Sequence, residues 1–120
     1  MRILIADDQR NVGTTLAAMV VKCQHEVVEV VGSGLEAIHA YEKYKPDVVL
    51  MDYWMAKLNG ATACRNILAR DPAARVILVS GWTPDYDLAA EYGAISVLSK
   101  PVDLQRLNAA LADAAQMLTF

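Results

Sequence analysis

Cysteine is scarce in this sequence: among 120 residues only Cys23 and Cys64 are present. Two are too few for a disulfide framework, and they are not spaced as zinc ligands are, so both read as small buried hydrophobes. Long apolar runs are missing as well. The longest helical one, Leu16 to Val21, falls far short of the ~18 residues that argue for a membrane span. Basic charge is neither in excess nor clustered. The 11 Lys and Arg are scattered against 14 Asp and Glu, for a net charge of −3. This argues against the basic footprint of a nucleic-acid binder. The opening MRILIADD carries no charged-then-apolar leader, and a soluble, cytoplasmic protein is expected. No linker, low-complexity tract or internal repeat interrupts the chain, so residues 1–120 are expected to form one domain.

What the chain does have is an alternation of short β-branched runs with amphipathic stretches. Arg2 to Ala6, Val27 to Val31, Asp47 to Met51, Arg75 to Val79 and Ile95 to Ser99 read as strands. Val12, Leu16, Met19 and Val20 recur at helical spacing. Ser33-Gly34-Leu35-Glu36 is a capping box, in which hydroxyl and carboxylate satisfy amides reciprocally. Leu35, Ile38 and Tyr41 or Glu42 then follow on successive turns of a helix that ends before Pro46. A weaker helix covers Gly60 to Ala69 and is closed by Asp71-Pro72. Thr83-Pro84-Asp85 supplies an N-cap hydroxyl, a first-turn Pro and a first-turn acid for a helix that stops at Gly93. Asp103 caps the last helix, striped by Leu104, Leu107, Leu111 and Leu118. This alternation, with strands apolar on both faces, predicts an α/β fold: a parallel sheet covered by helices on both sides. At 120 residues, an open doubly wound sheet with right-handed crossovers is favoured over a barrel of ~250 residues.

Sites in such sheets form at the carboxyl ends of the strands, near the point where strand order reverses. Strand one ends in Asp7-Asp8, strand three in Asp52, strand four in Ser80-Gly81 and strand five in Lys100-Pro101. All would share one edge. Taken singly, each has an ordinary explanation: Asp7 or Asp8 as a helix cap, Asp52 as a turn residue, Lys100 as a solvated surface group. Their coincidence at matching ends is what carries chemistry. Three carboxylates in one crevice repel each other and raise one another's pKa. A Mg²⁺ ion resolves the conflict, because it uses one or two carboxylates and takes other ligands from water and phosphate. An aspartate can also be the nucleophile that forms an aspartyl-phosphate. Lys100 and Ser80 could then meet the phosphoryl oxygens, which need positioning and neutralisation more than acid–base work. His25 and His39 lie away from this edge and read as surface residues.

With Asp7-Asp8, Asp52-Tyr53-Trp54-Met55, Gly60, Ser80 and Lys100-Pro101 at these positions, the sequence resembles the response-regulator receiver family of two-component systems over essentially its whole length. The resemblance implies a flavodoxin-like five-stranded sheet in the order 2-1-3-4-5 with five helices. It implies that Asp52 accepts a phosphoryl group from a phosphohistidine of a histidine kinase or histidine phosphotransfer protein. Asp8 and Asp52 would bind Mg²⁺ directly, Asp7 through water, and the backbone carbonyl of Trp54 would be a further ligand. Ser80 and Lys100 would contact the phosphoryl oxygens, and the Lys100–Pro101 bond would often be cis. The protein would be a switch rather than an enzyme, catalysing only its own phosphorylation and dephosphorylation. It would signal to an unidentified output partner, with no output domain in this chain, as a monomer or a phosphorylation-dependent dimer.

Three departures from the family pattern stand out, at four positions. Ala56 replaces the usual Pro, so the loop after Asp52 is expected to be less rigid. Val97 replaces an aromatic that normally swings inward, so readout by that swing is not carried over. Trp54 and Trp82 replace smaller or polar groups. They are expected either to flank the pocket mouth and slow water, or to pack on the surface or a partner. Two other functions remain open: an interaction module that does not cycle phosphate, and a Mg²⁺-dependent phosphohydrolase. The second is disfavoured because Trp54 stands where such enzymes place a second acid. A flavin- or nucleotide-binding protein is disfavoured too, since no Gly-rich loop follows strand one.

Overall fold

A computed structural model describes residues 1–55, 58–81 and 91–117. Strands β1 (Arg2–Ala6), β2 (Glu26–Val31), β3 (Val48–Asp52), β4 (Val76–Ser80) and β5 (Ser96–Ser99) form one sheet. Its order is β2-β1-β3-β4-β5 and every neighbouring pair is parallel. This is the predicted flavodoxin-like topology. Among the described residues, four helices are bounded: α1 (Arg10–Lys22), α2 (Gly34–Tyr44), α3 (Gly60–Arg70) and α4 (Leu104–Gln116). The helix expected from Thr83 falls on residues 82–90, outside the described set. Glu91 and Tyr92 are helical, and Gly93 follows at φ +82, the left-handed conformation that suits glycine at a helix end.

Strand periodicity explains the layering. Along β1, Leu4 and Ala6 face the cluster under α2 and α3, while Ile3 and Ile5 face the one under α1 and α4. In β3, Val49 and Met51 take the first side and Val48 and Leu50 the second. All five residues of β3 are buried, which is why its sequence is apolar on both faces. None of the described helices is long and apolar enough to cross a membrane.

Helix ends follow the capping signals with some corrections. The Ser33 hydroxyl accepts from the Glu36 amide, but the Glu36 carboxylate accepts from Gly32 N rather than from the cap itself. Asp103 caps α4 through the Arg106 amide as predicted. Asn59, not singled out from sequence, caps α3 through Thr62 N. Two predicted stripe leucines lie in solvent: Leu35 is 51% exposed and Leu104 43%. The other described stripe positions are buried as expected, Ile38 and Tyr41 on α2 and Leu107 and Leu111 on α4, joined by Ala37, Ala40 and Ala114. Both leucines sit in the first turn of their helix. Leu118 lies outside the described residues. Cys64 is buried as expected, but Cys23 is only half-buried at the end of α1.

Tyr41 ties α2 to the end of α3. Its ring is buried and its hydroxyl donates to Asp71 Oδ2 at 2.7 Å. Burial, and then Asp71, pushes the phenol pKa up, so it stays protonated. Tyr41→Phe removes this one bond and keeps the packing. A loss of about 1.5–3 kcal/mol is expected in urea unfolding, as for a hydrogen bond to a charged acceptor.

Candidate functional site

The reversal of strand order falls between β1 and β3, and two acids emerge there. Asp7 follows β1 and remains tied to the sheet, its amide donating to the Val31 carbonyl at 3.0 Å. Asp52 ends β3, in register with Val79 of β4. On the far side, Ser80 ends β4 opposite Ser99, and the Lys100 amide donates to the Ser80 carbonyl at 2.7 Å. Parallel pairing thus brings to one edge residues up to 93 apart in sequence.

The side chains converge. Lys100 Nζ stands 3.1 Å from Asp7 Oδ2 and 3.3 Å from Asp52 Oδ1. One carboxylate oxygen from each of Asp7, Asp8 and Asp52 lies within 4.8 Å of the others. Asp7 is 2% exposed and Asp52 5%, whereas Asp8 is exposed and forms the open wall of the cup. Asp7 is not a helix cap: α1 starts from Gln9, whose side chain makes no capping bond. Asp7 Oδ1 accepts instead from the Gln9 amide at 2.9 Å. Its buried Oδ2 has no well-directed hydrogen bond; Lys100 is near enough to pair by charge but off the bonding direction.

Electrostatics follow from this count of three acids to one base. Burial, then the charge of Asp7, holds the Asp52 carboxyl up at about 6, against the downward pull of Lys100. For Lys100, burial acts downward, but contact with Asp7 and the charge of Asp52 outweigh it, and the ammonium is held above its ordinary range. With three carboxylates to one ammonium the cup is short of positive charge, and the buried Asp7 Oδ2 makes no directed hydrogen bond. An oxygen-seeking divalent cation fits that donor set.

The rest of the predicted positions surround the cup. Trp54 is 57% exposed and its ring meets Tyr53 edge-on at 5.0 Å. Its partner in the pocket-mouth expectation, Trp82, lies outside the described residues, as does Ala56. Gly60 abuts the Asp52 carbonyl, its own amide donating to the Tyr53 carbonyl at 2.8 Å. Val97 is partly buried against the α2–α3 cluster. His39 is exposed. His25 is half-buried rather than on the surface, its Nδ1 2.8 Å from the Met1 amino group, at the edge of the sheet opposite the acids. A groove of about 390 Å³ leads away from Lys100 between α1 (Asn11, Thr15, Met19) and Pro101-Val102. Sequence reasoning missed Gln9 and Arg106. Neither carries a signal of its own, since each acts through loop geometry.

A doubly wound parallel sheet with an acidic cup and a lysine at its switch point defines a signalling module of the receiver type. Residues 3–112 match the family described as the response regulator receiver domain, and the chain belongs to it. It is 35% identical to the chemotaxis protein CheY of Listeria monocytogenes over 121 residues, covering 97% of this chain and 99% of that one. It is 38% identical to protein PilH of Pseudomonas aeruginosa, covering 92% of this chain and 98% of that one. Among solved structures, a response regulator receiver domain protein from Clostridium thermocellum superposes with a TM-score of 0.88 at 28% identity, over 99% of this chain and 98% of that one.

Proposed function

We propose that this receiver domain accepts a phosphoryl group on Asp52 from a phosphohistidine and switches conformation to signal to a partner. The observation that carries the reading is the convergence of Asp7, Asp8 and Asp52 around a lysine ammonium 3.3 Å from Asp52. With its pKa near 6, Asp52 is mostly ionised at neutral pH and can act as a nucleophile. One of its oxygens attacks phosphorus, the P–N bond breaks, and the bonding pair returns to the imidazole nitrogen. Lys100 neutralises one phosphoryl oxygen and the Ser80 hydroxyl donates to another. Asp8 and Asp52, with the Trp54 carbonyl, would hold Mg²⁺ directly and Asp7 would hold it through water. Bound there, Mg²⁺ neutralises charge that builds on the phosphoryl oxygens. The aspartyl-phosphate carries up to about −2 where the carboxylate carried −1, and that change biases the loops around the cup. The donor would be a histidine kinase or histidine phosphotransfer protein, and the cytoplasm is where such a donor would meet it.

Incubation with Mg²⁺ and acetyl phosphate, followed by intact mass, tests this. One added phosphate is expected on the protein and none on an Asp52→Asn variant. Turnover of many equivalents of a phosphoester would point to a hydrolase. Failure of the unaltered protein to take phosphate would point to a binding-only module.

A further inference from the structure

Lys100 must place its ammonium against two carboxylates at once, at 3.1 Å from Asp7 and 3.3 Å from Asp52. A lysine stem is four carbons of rotatable chain, so this precision depends on where the backbone at residue 100 is held. One tie is the Lys100 amide bond to the Ser80 carbonyl. Further ties come from a single side chain in the first turn of α4. Arg106 Nη2 donates to Ser99 Oγ at 2.8 Å and to the Ser99 carbonyl at 3.2 Å. Its Nη1 reaches the Pro101 carbonyl at 3.5 Å. The base of the same residue is fixed in turn, its amide donating to Asp103 Oδ1 at 2.7 Å.

We propose that Arg106 is the positioning residue for Lys100: its guanidinium clamps the chain immediately before and immediately after the lysine and so sets where the ammonium stands. Arg106 touches neither Asp7 nor Asp52, and it acts on the chemistry only through Lys100. The planar fork suits the task, since it can serve the Ser99 hydroxyl, the Ser99 carbonyl and the Pro101 carbonyl together. A lysine at 106 could serve them only as a point donor. The functional half of this inference rests on the phosphoacceptor reading above, because there the ammonium must meet a phosphoryl oxygen.

The test compares the unaltered protein with Arg106→Ala and Arg106→Lys, using Mg²⁺ and acetyl phosphate. Displacing a catalytic group by ~1 Å can cost up to ~10²-fold in rate. Arg106→Ala is accordingly expected to slow Asp52 phosphorylation about tenfold, with Mg²⁺ affinity unchanged, and Arg106→Lys to recover part of that loss. In a Lys100→Ala background the same change should have no further effect. A second readout needs no phosphate: the ¹⁵N resonance of the Lys100 ammonium, assigned by its loss in Lys100→Ala, should move in Arg106→Ala toward that of a solvated lysine. Equal slowing with and without Lys100, or an unmoved resonance, overturns the proposal and leaves Arg106 a merely structural residue. If the unaltered protein takes no phosphate, the phosphoacceptor reading fails, and the ammonium resonance still decides whether Arg106 positions Lys100.

Discussion

Replacing Gly60 by alanine is expected to destabilise the protein by about 3 kcal/mol or more, and to disturb the acidic cup with it. A Cβ on Gly60 would stand 2.0 Å from the Asp52 carbonyl oxygen and 2.8 Å from its carbon. These are backbone atoms and cannot swing aside as a side chain can. The sheet holds that segment on its other side: Asp52 is in register with Val79, and the Tyr53 amide donates to the Val79 carbonyl at 2.8 Å. The movable partner is therefore α3. Shifting it disturbs the Asn59 cap and the buried contacts of Ala61, Ala63, Cys64 and Ile67. Gly32→Ala is the control, because nothing lies within 4 Å of the Cβ it would add; a change within about 0.5 kcal/mol is expected there, as for an ordinary surface substitution. Urea unfolding of the two variants side by side checks this. Equal stability would mean that α3 can retreat from Asp52 without loss, and that its close approach does not fix the cup.

Most of the fold could be read from the sequence because its central strands, β1, β3 and β4, are buried on both faces. DVVLM has no polar side to misplace, and β3 came within one residue at either end. Strand ends then located Asp7, Asp8, Asp52, Ser80 and Lys100 on one edge, since parallel pairing leaves them nowhere else to go. What escaped were features set by how one element meets another. Leu35 and Leu104 satisfy helical spacing yet lie exposed in the first turn, while Ile38, Tyr41, Leu107 and Leu111 are buried beside alanines that spacing did not single out. Spacing on one helix does not say where the neighbouring layer stops. The Tyr41–Asp71 bond spans 30 residues and the Arg106 clamp closes over a loop. Neither leaves a periodic trace. The resemblance supplied the strand order, which alternation alone left open.

Asp52→Asn should make the metal-free protein more stable, by about 1–2 kcal/mol near neutral pH. Three carboxylates share the cup with one ammonium, so two negative charges there are uncompensated even after pairing. Folding raises the Asp52 pKa from 3.8 to about 6, through burial first and then the charge of Asp7. A carboxyl with a raised folded pKa holds its proton in the native state over a range where the unfolded chain has released it. Stability then falls as pH rises from about 4 to about 6, and the whole penalty is present above that. The two pKa values correspond to about 3 kcal/mol at most; water at the open Asp8 wall screens part of it. Asparagine keeps the shape and removes the charge. Its advantage should be full near neutrality and vanish near pH 4, where Asp52 is protonated in the folded protein. Mg²⁺ should narrow the gap from the other side. At ten times its dissociation constant a ligand stabilises by about 1.4 kcal/mol, and the unaltered cup offers the better site. Thermal unfolding across pH, with and without Mg²⁺, checks both parts. A variant less stable than its parent near neutrality, or an advantage that persists unchanged at pH 4, would refute this account of the charge balance. A buried carboxylate that weakens the fold until a cation neutralises it suits the proposed phosphoacceptor role, an anion held ready at a cost in stability.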